Sequence, residues 1–153
     1  MLLVLYVVFL LGLSNCQLVP TATPTKRTIR VGIAAAQLTQ SGSVGWSSCG
    51  GAVPIAVQYL QSKGHLTEFD FEYIMEYTEC DKASTVKAGL RFMKDLNVDV
   101  VIGPPCAKAL EVMGTLSVIY KKLVLGWGFV SESQLADSTR FPFVTSVQPT
   151  ATT

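Results

Sequence analysis

Apolar residues recur along this chain in two rhythms, short near-continuous runs and longer stretches of helical spacing. Thr28 to Ala34 predicts a first strand whose near-continuous apolar end suits burial on both faces. The segment Gln37 to Ser47 is rich in Thr, Gln, Ser and Gly, residues that favour turns and leave side chains free to face a ligand. From about Ser48 to Lys63 the spacing of Val53, Ala56, Val57 and Leu60 predicts a helix closed by Gly64, with Pro54 tolerable only near its first turn. Glu68 to Tyr77 alternates through Phe69, Phe71, Tyr73 and Met75, predicting a strand with one apolar face, and Thr78 to Lys82 forms its exit loop.

The second half repeats the scheme. A helix over Ala83 to Leu96 is expected to bury Val86, Leu90 and Met93. A strand from Val98 to Ile102 runs into Gly103-Pro104-Pro105-Cys106, and a helix from Ala107 to Tyr120 follows, with Leu110, Met113, Leu116 and Ile119 facing inward. Leu123 to Leu125 predicts a fourth strand, ending in Gly126-Trp127-Gly128 and a polar loop through Ser131, Glu132 and Ser133; Phe141 to Val147 predicts a fifth. Strands alternating with helices define an α/β fold on a mainly parallel sheet. The last strand is followed only by Gln148 to Thr153, without a helix to cover it, so the expected lobe is incomplete and the chain reads as a fragment.

Ahead of this domain, Leu2 to Leu13 is an apolar run shorter than the roughly 20 residues of a membrane-spanning helix, and it ends in Ser14, Asn15 and Cys16. It reads as a signal peptide over residues 1–16, cleaved after Cys16, which sends the chain into the secretory pathway. Two other readings stay open: an uncleaved anchor, because no Lys or Arg precedes the run, and a bacterial lipoprotein site at Leu13-Ser14-Asn15-Cys16, in which Asn15 stands where a small residue is wanted. Residues 17–28, rich in Thr and Pro, form an extended leader, and residues 29–153 form the domain.

Composition removes several classes of function. The twelve Lys and Arg residues against eleven Asp and Glu are scattered, which argues against a nucleic-acid partner because phosphate binding needs a basic patch. Loss of Cys16 leaves Cys49, Cys80 and Cys106, an odd number for a secreted chain. Their wide spacing and the single histidine, His65 in a polar turn, argue against a metal site. No nucleophile elbow, phosphate loop or cofactor fingerprint is present, so neither a catalytic residue nor a cofactor is assigned. The carboxylates Glu72, Glu76 and Glu79 lie on or near the second strand and read as a polar face rather than as an acid/base pair.

The succession Val98-Asp99-Val100-Val101-Ile102-Gly103-Pro104, helix, Leu123-Val124-Leu125-Gly126-Trp127-Gly128, and Phe141-Pro142-Phe143-Val144-Thr145-Ser146-Val147-Gln148-Pro149 resembles the type I periplasmic-binding-protein fold, and especially its natriuretic-peptide-receptor branch. Gly45-Trp46-Ser47-Ser48-Cys49-Gly50-Gly51-Ala52-Val53-Pro54 is similar to nematode receptor-type guanylate cyclases. The resemblance runs from about Arg30 to the chain end. It implies the first part of one lobe of an extracellular ligand-binding region, in a receptor that is homodimeric and signals through cyclic GMP from a domain beyond this chain. The ligand would be a peptide or a small molecule. The alternative is a secreted or lipid-anchored solute-binding protein.

The resemblance also implies a disulfide between Cys80 and Cys106, whose positions match the branch's paired cysteines; Cys49 opens the first helix, and its pairing with either stays open. Members of the branch hold chloride partly through backbone amides after the third strand, but Pro105 has no amide proton to offer, so that site is not carried over. In open α/β sheets ligands sit outside the carboxyl ends of the strands. The candidate lining residues are therefore Gln37 and Thr39 after strand one, Thr78 after strand two, Gly103 to Cys106 after strand three, and Trp127 and Ser131 after strand four.

Overall fold

The computed structural model describes residues 25–39, 43–130 and 133–147. The expected signal and most of the leader lie outside these residues, as does Ser131. Five strands, β1 (Arg27–Ala35), β2 (Phe69–Tyr77), β3 (Val100–Ile102), β4 (Leu123–Gly126) and β5 (Val144–Ser146), form one sheet in the order β2-β1-β3-β4-β5. Every pairing is parallel, with Arg27 opposite Phe69, Val31 opposite Val100, Val101 opposite Val124 and Leu125 opposite Thr145. All carboxyl ends therefore point the same way, which gathers the loops that follow them.

The helices are α1 (Trp46–Cys49), α2 (Ala52–Ser62), α3 (Lys82–Leu90), which continues into a π-helical turn over Arg91–Asp95, and α4 (Ala107–Tyr120). The main core joins α3, the π turn and α4 to one face of the sheet through Phe92, Met93, Leu110, Met113, Val101 and Val124. A smaller cluster on the other face joins Val31, Ile33 and Ala35 to Trp46, Phe71, Val100 and Ile102. The second half of the interior strand β1, from Val31 on, is thus buried on both faces, which is why that end is continuously apolar instead of alternating. Gly32 is required there: a Cβ at this position would stand 2.8 Å from the Phe92 ring.

Four expectations are corrected in detail. The first helix is not continuous from Ser48; Gly50 and Gly51 divide it, and a Cβ on Gly50 would meet the Trp46 ring at 2.4 Å. Val86 lies on the surface, because the stripe that faces the core is Thr85, Ala88, Gly89 and Phe92, the same helical spacing rotated by one residue. Ile119 is 65% exposed, since it lies nine residues beyond the buried Leu110 and so about half a turn round the helix from it. On β2, Tyr73 and Met75 are exposed, so the apolar face is only half covered, whereas Ile74 on the opposite face packs against the main core.

Candidate functional site

The site is built at the carboxyl end of the sheet, where the sheet ladder gives way to side-chain and turn contacts. After β1 the chain turns through Ala36, whose carbonyl accepts the Trp46 amide at 2.9 Å and so brings the start of α1 over the strand end. Gln37 is pinned within this turn by a reciprocal pair: its Nε2 donates to Ser47 Oγ at 2.9 Å, and the Ser47 amide donates to Gln37 Oε1 at 2.9 Å. Thr39 is exposed. Thr78 is fully buried, its amide donating to the Ala35 carbonyl at 2.8 Å and its hydroxyl to the same oxygen at 3.3 Å. Its hydroxyl is engaged in joining the end of β2 to the end of β1.

After β3 the chain passes through Gly103, at φ 85° with a cis bond to Pro104. The Gly103 amide donates to Leu125 at 2.8 Å, and a Cβ here would stand 2.3 Å from the Ala34 carbonyl oxygen and 3.0 Å from Trp127 Nε1. Both the left-handed backbone and the close approach of β1 therefore demand glycine. The Pro105 carbonyl accepts the Phe129 amide at 2.9 Å, fastening this turn to the one after β4. Cys106 precedes α4 and is disulfide-bonded to Cys80, with a Cα–Cα distance of 5.6 Å.

Gln37, Thr39, Thr78 and Gly103 thus belong to one cluster of loops, with Trp127 beside Gly103. Trp127 also lines an apolar cavity of about 310 Å³ with Trp46, Cys49, Ile102, Leu125 and Val147. The indole N–H of Trp127 is buried and has no hydrogen-bond partner among the described residues. Cys49 keeps a free thiol, 3.2 Å from the Gly45 carbonyl oxygen; burial pushes its pKa up, outweighing its hydrogen bonding. It is a neutral wall of the cavity and not an activated nucleophile. Among the described residues no group of three or more His, Cys, Asp or Glu side chains is placed to hold a metal ion.

The spacing of carboxylates did not reveal the part played by Glu79. It lies past the end of β2, at φ 49°, and its carboxylate faces the loop after β1. Burial alone would raise its pKa, but hydrogen bonds from the Thr39, Gln37 and Leu38 amides and from the Thr39 hydroxyl together hold it below the ordinary glutamate range. Glu79 stands two residues past the end of β2 and out of register with Glu72 and Glu76, so the turn and not the strand's alternation sets its direction.

An all-parallel sheet in this order, with its connecting loops gathered at the carboxyl ends of the strands, has the fold of a periplasmic-binding-type lobe. Among solved structures, the chain superposes on the branched-chain amino acid transporter substrate binding protein LivJ from Streptococcus pneumoniae with a TM-score of 0.64 at 12% identity, covering 82% of this chain and 34% of that one. It matches a solute binding protein of an ABC transporter from Rhodopseudomonas palustris with a TM-score of 0.60 at 17% identity, covering 80% and 32%. These likenesses show the fold.

Residues 48–153 match the receptor family ligand binding region, and the chain belongs to that family. It is 70% identical over 95% of its length to receptor-type guanylate cyclase gcy-5 of Caenorhabditis elegans, and 66% identical over 82% to gcy-4 of the same organism. The chain spans 13% and 11% of the lengths of these two relatives.

Proposed function

We propose that this chain is the opening part of the extracellular ligand-binding region of a transmembrane receptor guanylate cyclase, and that the loops after β1 to β4 form one wall of its ligand cleft. Ligand binding changes the packing of the receptor's lobes or of its two copies, and the signal emerges as cyclic GMP made by a domain beyond this chain. Residues 1–16 serve as the signal that delivers it to the secretory pathway; expressed alone, the chain is secreted. The observation that carries the cleft reading is the convergence of Gln37, Thr39 and Gly103 at one end of an all-parallel sheet, with the Cys80–Cys106 disulfide joining the turns after β2 and β3 and Glu79 holding the loop after β1. The match to a receptor ligand-binding family supports the same reading.

The test uses the full receptor on cells. Cyclic GMP output is screened across salts, small molecules and peptides, and the stimulus that raises it is applied to Thr39→Ala, Gln37→Ala and Trp127→Phe variants. Surface display should stay at the parental level while the half-maximal stimulus rises at least about tenfold in one or more variants, equivalent to about 1.4 kcal/mol of lost binding. Unchanged sensitivity in all three variants would place the cleft elsewhere.

A further inference from the structure

The loop after β1 presents three successive backbone N–H groups, those of Gln37, Leu38 and Thr39, to a single carboxylate. Glu79 accepts them at 2.9, 2.9 and 3.1 Å, and accepts the Thr39 hydroxyl at 3.0 Å. Consecutive amides of this kind form a concavity suited to a negative charge. The next residue, Cys80, is covalently joined to Cys106 after the β3 turn. Glu79 and Cys80 both have left-handed backbones, at φ 49° and 61°. Such a conformation is unfavourable for residues with a Cβ and persists where the surroundings over-determine it. Here one side chain is held by the loop after β1 and the other by the loop after β3.

We propose that Glu79 and Cys80 act as a two-armed clip, in which Glu79 is a positioning residue that sets the shape of the Gln37–Thr39 loop relative to the disulfide-tied turn after β3. This rests on the reading that these loops face ligand. The role calls for a carboxylate. Glutamine offers one acceptor oxygen in place of two and would turn an NH₂ donor toward amide donors, while aspartate is one methylene too short to make the same contacts without a shift. The adjacent carboxylate, Asp81, is engaged elsewhere, accepting the Ser84 amide at 2.7 Å.

Hydrogen exchange in the complete ectodomain, without ligand, tests the clip through Glu79→Gln and Glu79→Asp. In Glu79→Gln the amides of Gln37, Leu38 and Thr39 should exchange at least about tenfold faster, with protection across β3 and α4 unchanged; Glu79→Asp should give a smaller loss at the same three amides. If Glu79→Gln fails to be secreted, Glu79→Asp alone decides. Unchanged protection at residues 37–39 would overturn the clip, and so would an equal loss across the whole domain, which would make Glu79 a general stability residue. Because no ligand is used, failure here removes the clip and leaves the cleft assignment standing, whereas failure of the receptor assay removes the cleft and with it the clip's part in ligand binding, while the exchange data still report the loop geometry.

Discussion

Cys80 and Cys106 join the turn after β2 to the turn after β3, two strands that are not neighbours, because β1 lies between them. Adjacent strands run about 4.8 Å apart, so β2 and β3 are separated by roughly 10 Å within the sheet. The cysteine Cα atoms are only 5.6 Å apart. The two turns therefore lean together across the end of β1, and the disulfide passes over β1 where its own loop begins.

That bridge closes a loop with a sequence separation of 26 residues, for which the chain-entropy estimate is roughly 3 kcal/mol of stabilisation. Replacing Cys80 or Cys106 with serine should lower stability by about that amount, read from denaturant midpoints under non-reducing conditions. Cys49→Ser should cost well under half as much, since that thiol is free. Equal losses for all three, or a dominant Cys49 linkage in peptides mapped without reduction, would defeat the assignment.

A second expectation concerns Gly32 and Phe92. The Phe92 ring is fully buried against the strand at Gly32, so Phe92→Ala should cost about 3–5 kcal/mol. Gly32→Ala should also destabilise, because its new methyl group would need the ring to move. Combining Gly32→Ala with Phe92→Leu should cost less than the sum of the single changes, since each makes room for the other. Strict additivity in equilibrium unfolding would show that the two residues do not share the contact.

The buried end of β1, β4 and the last helix were legible because strands buried on both faces and a helix closed by turn residues leave plain apolar patterns, whereas the third and fifth strands, expected from Val98 and from Phe141, begin only at Val100 and Val144, after turn residues that the apolar pattern does not mark. The range Ala107–Tyr120 is the same in sequence and structure. The inward face of α3 was not legible: its stripe includes Thr85 and Gly89, which carry little hydrophobic signal, while Val86 offers a false one. Glu79 was hidden for a different reason. Its role depends on a left-handed backbone and on amides more than thirty residues away in the chain, and neither leaves a mark in local composition.

Asp81 supplies a prediction about acid. Its side chain caps α3 by accepting the Ser84 amide, and that hydrogen bond, with further help from the Ser84 side chain, holds its pKa below the ordinary aspartate value despite a small opposing effect of burial. A lowered pKa in the folded state means that the stabilisation is present above the unfolded-state pKa and is lost as pH falls through the folded-state one. Asp81→Asn should retain a cap but flatten that part of the acid limb of stability against pH, while Asp81→Ala should lose the cap at neutral pH as well. Thermal midpoints measured from pH 7 down to pH 3 check both; an unchanged acid limb in Asp81→Asn would refute the role.

Trp127 separates packing from polarity. Its ring fills space beside Gly103 and lines the apolar cavity, yet its indole N–H is buried without a partner among the described residues. A buried donor that makes no hydrogen bond forfeits its hydration and gains nothing in return. Trp127→Phe removes that donor and keeps an aromatic ring, so the loss of packing volume and the relief of the unmet donor act in opposite directions, and stability should change by less than about 1 kcal/mol. Trp127→Ala removes the ring as well and should cost about 2–3 kcal/mol, below the range for a fully buried tryptophan because the side chain is only partly enclosed. Trp46, the other tryptophan, remains as the fluorescence reporter for unfolding in both variants. If Trp127→Phe retains stability while the full receptor loses sensitivity to its stimulus, the indole N–H contributes to ligand response and not to the fold. Destabilisation by Trp127→Phe as large as that by Trp127→Ala would mean that the indole N–H or the exact ring shape is itself structural, and this separation of roles would be wrong.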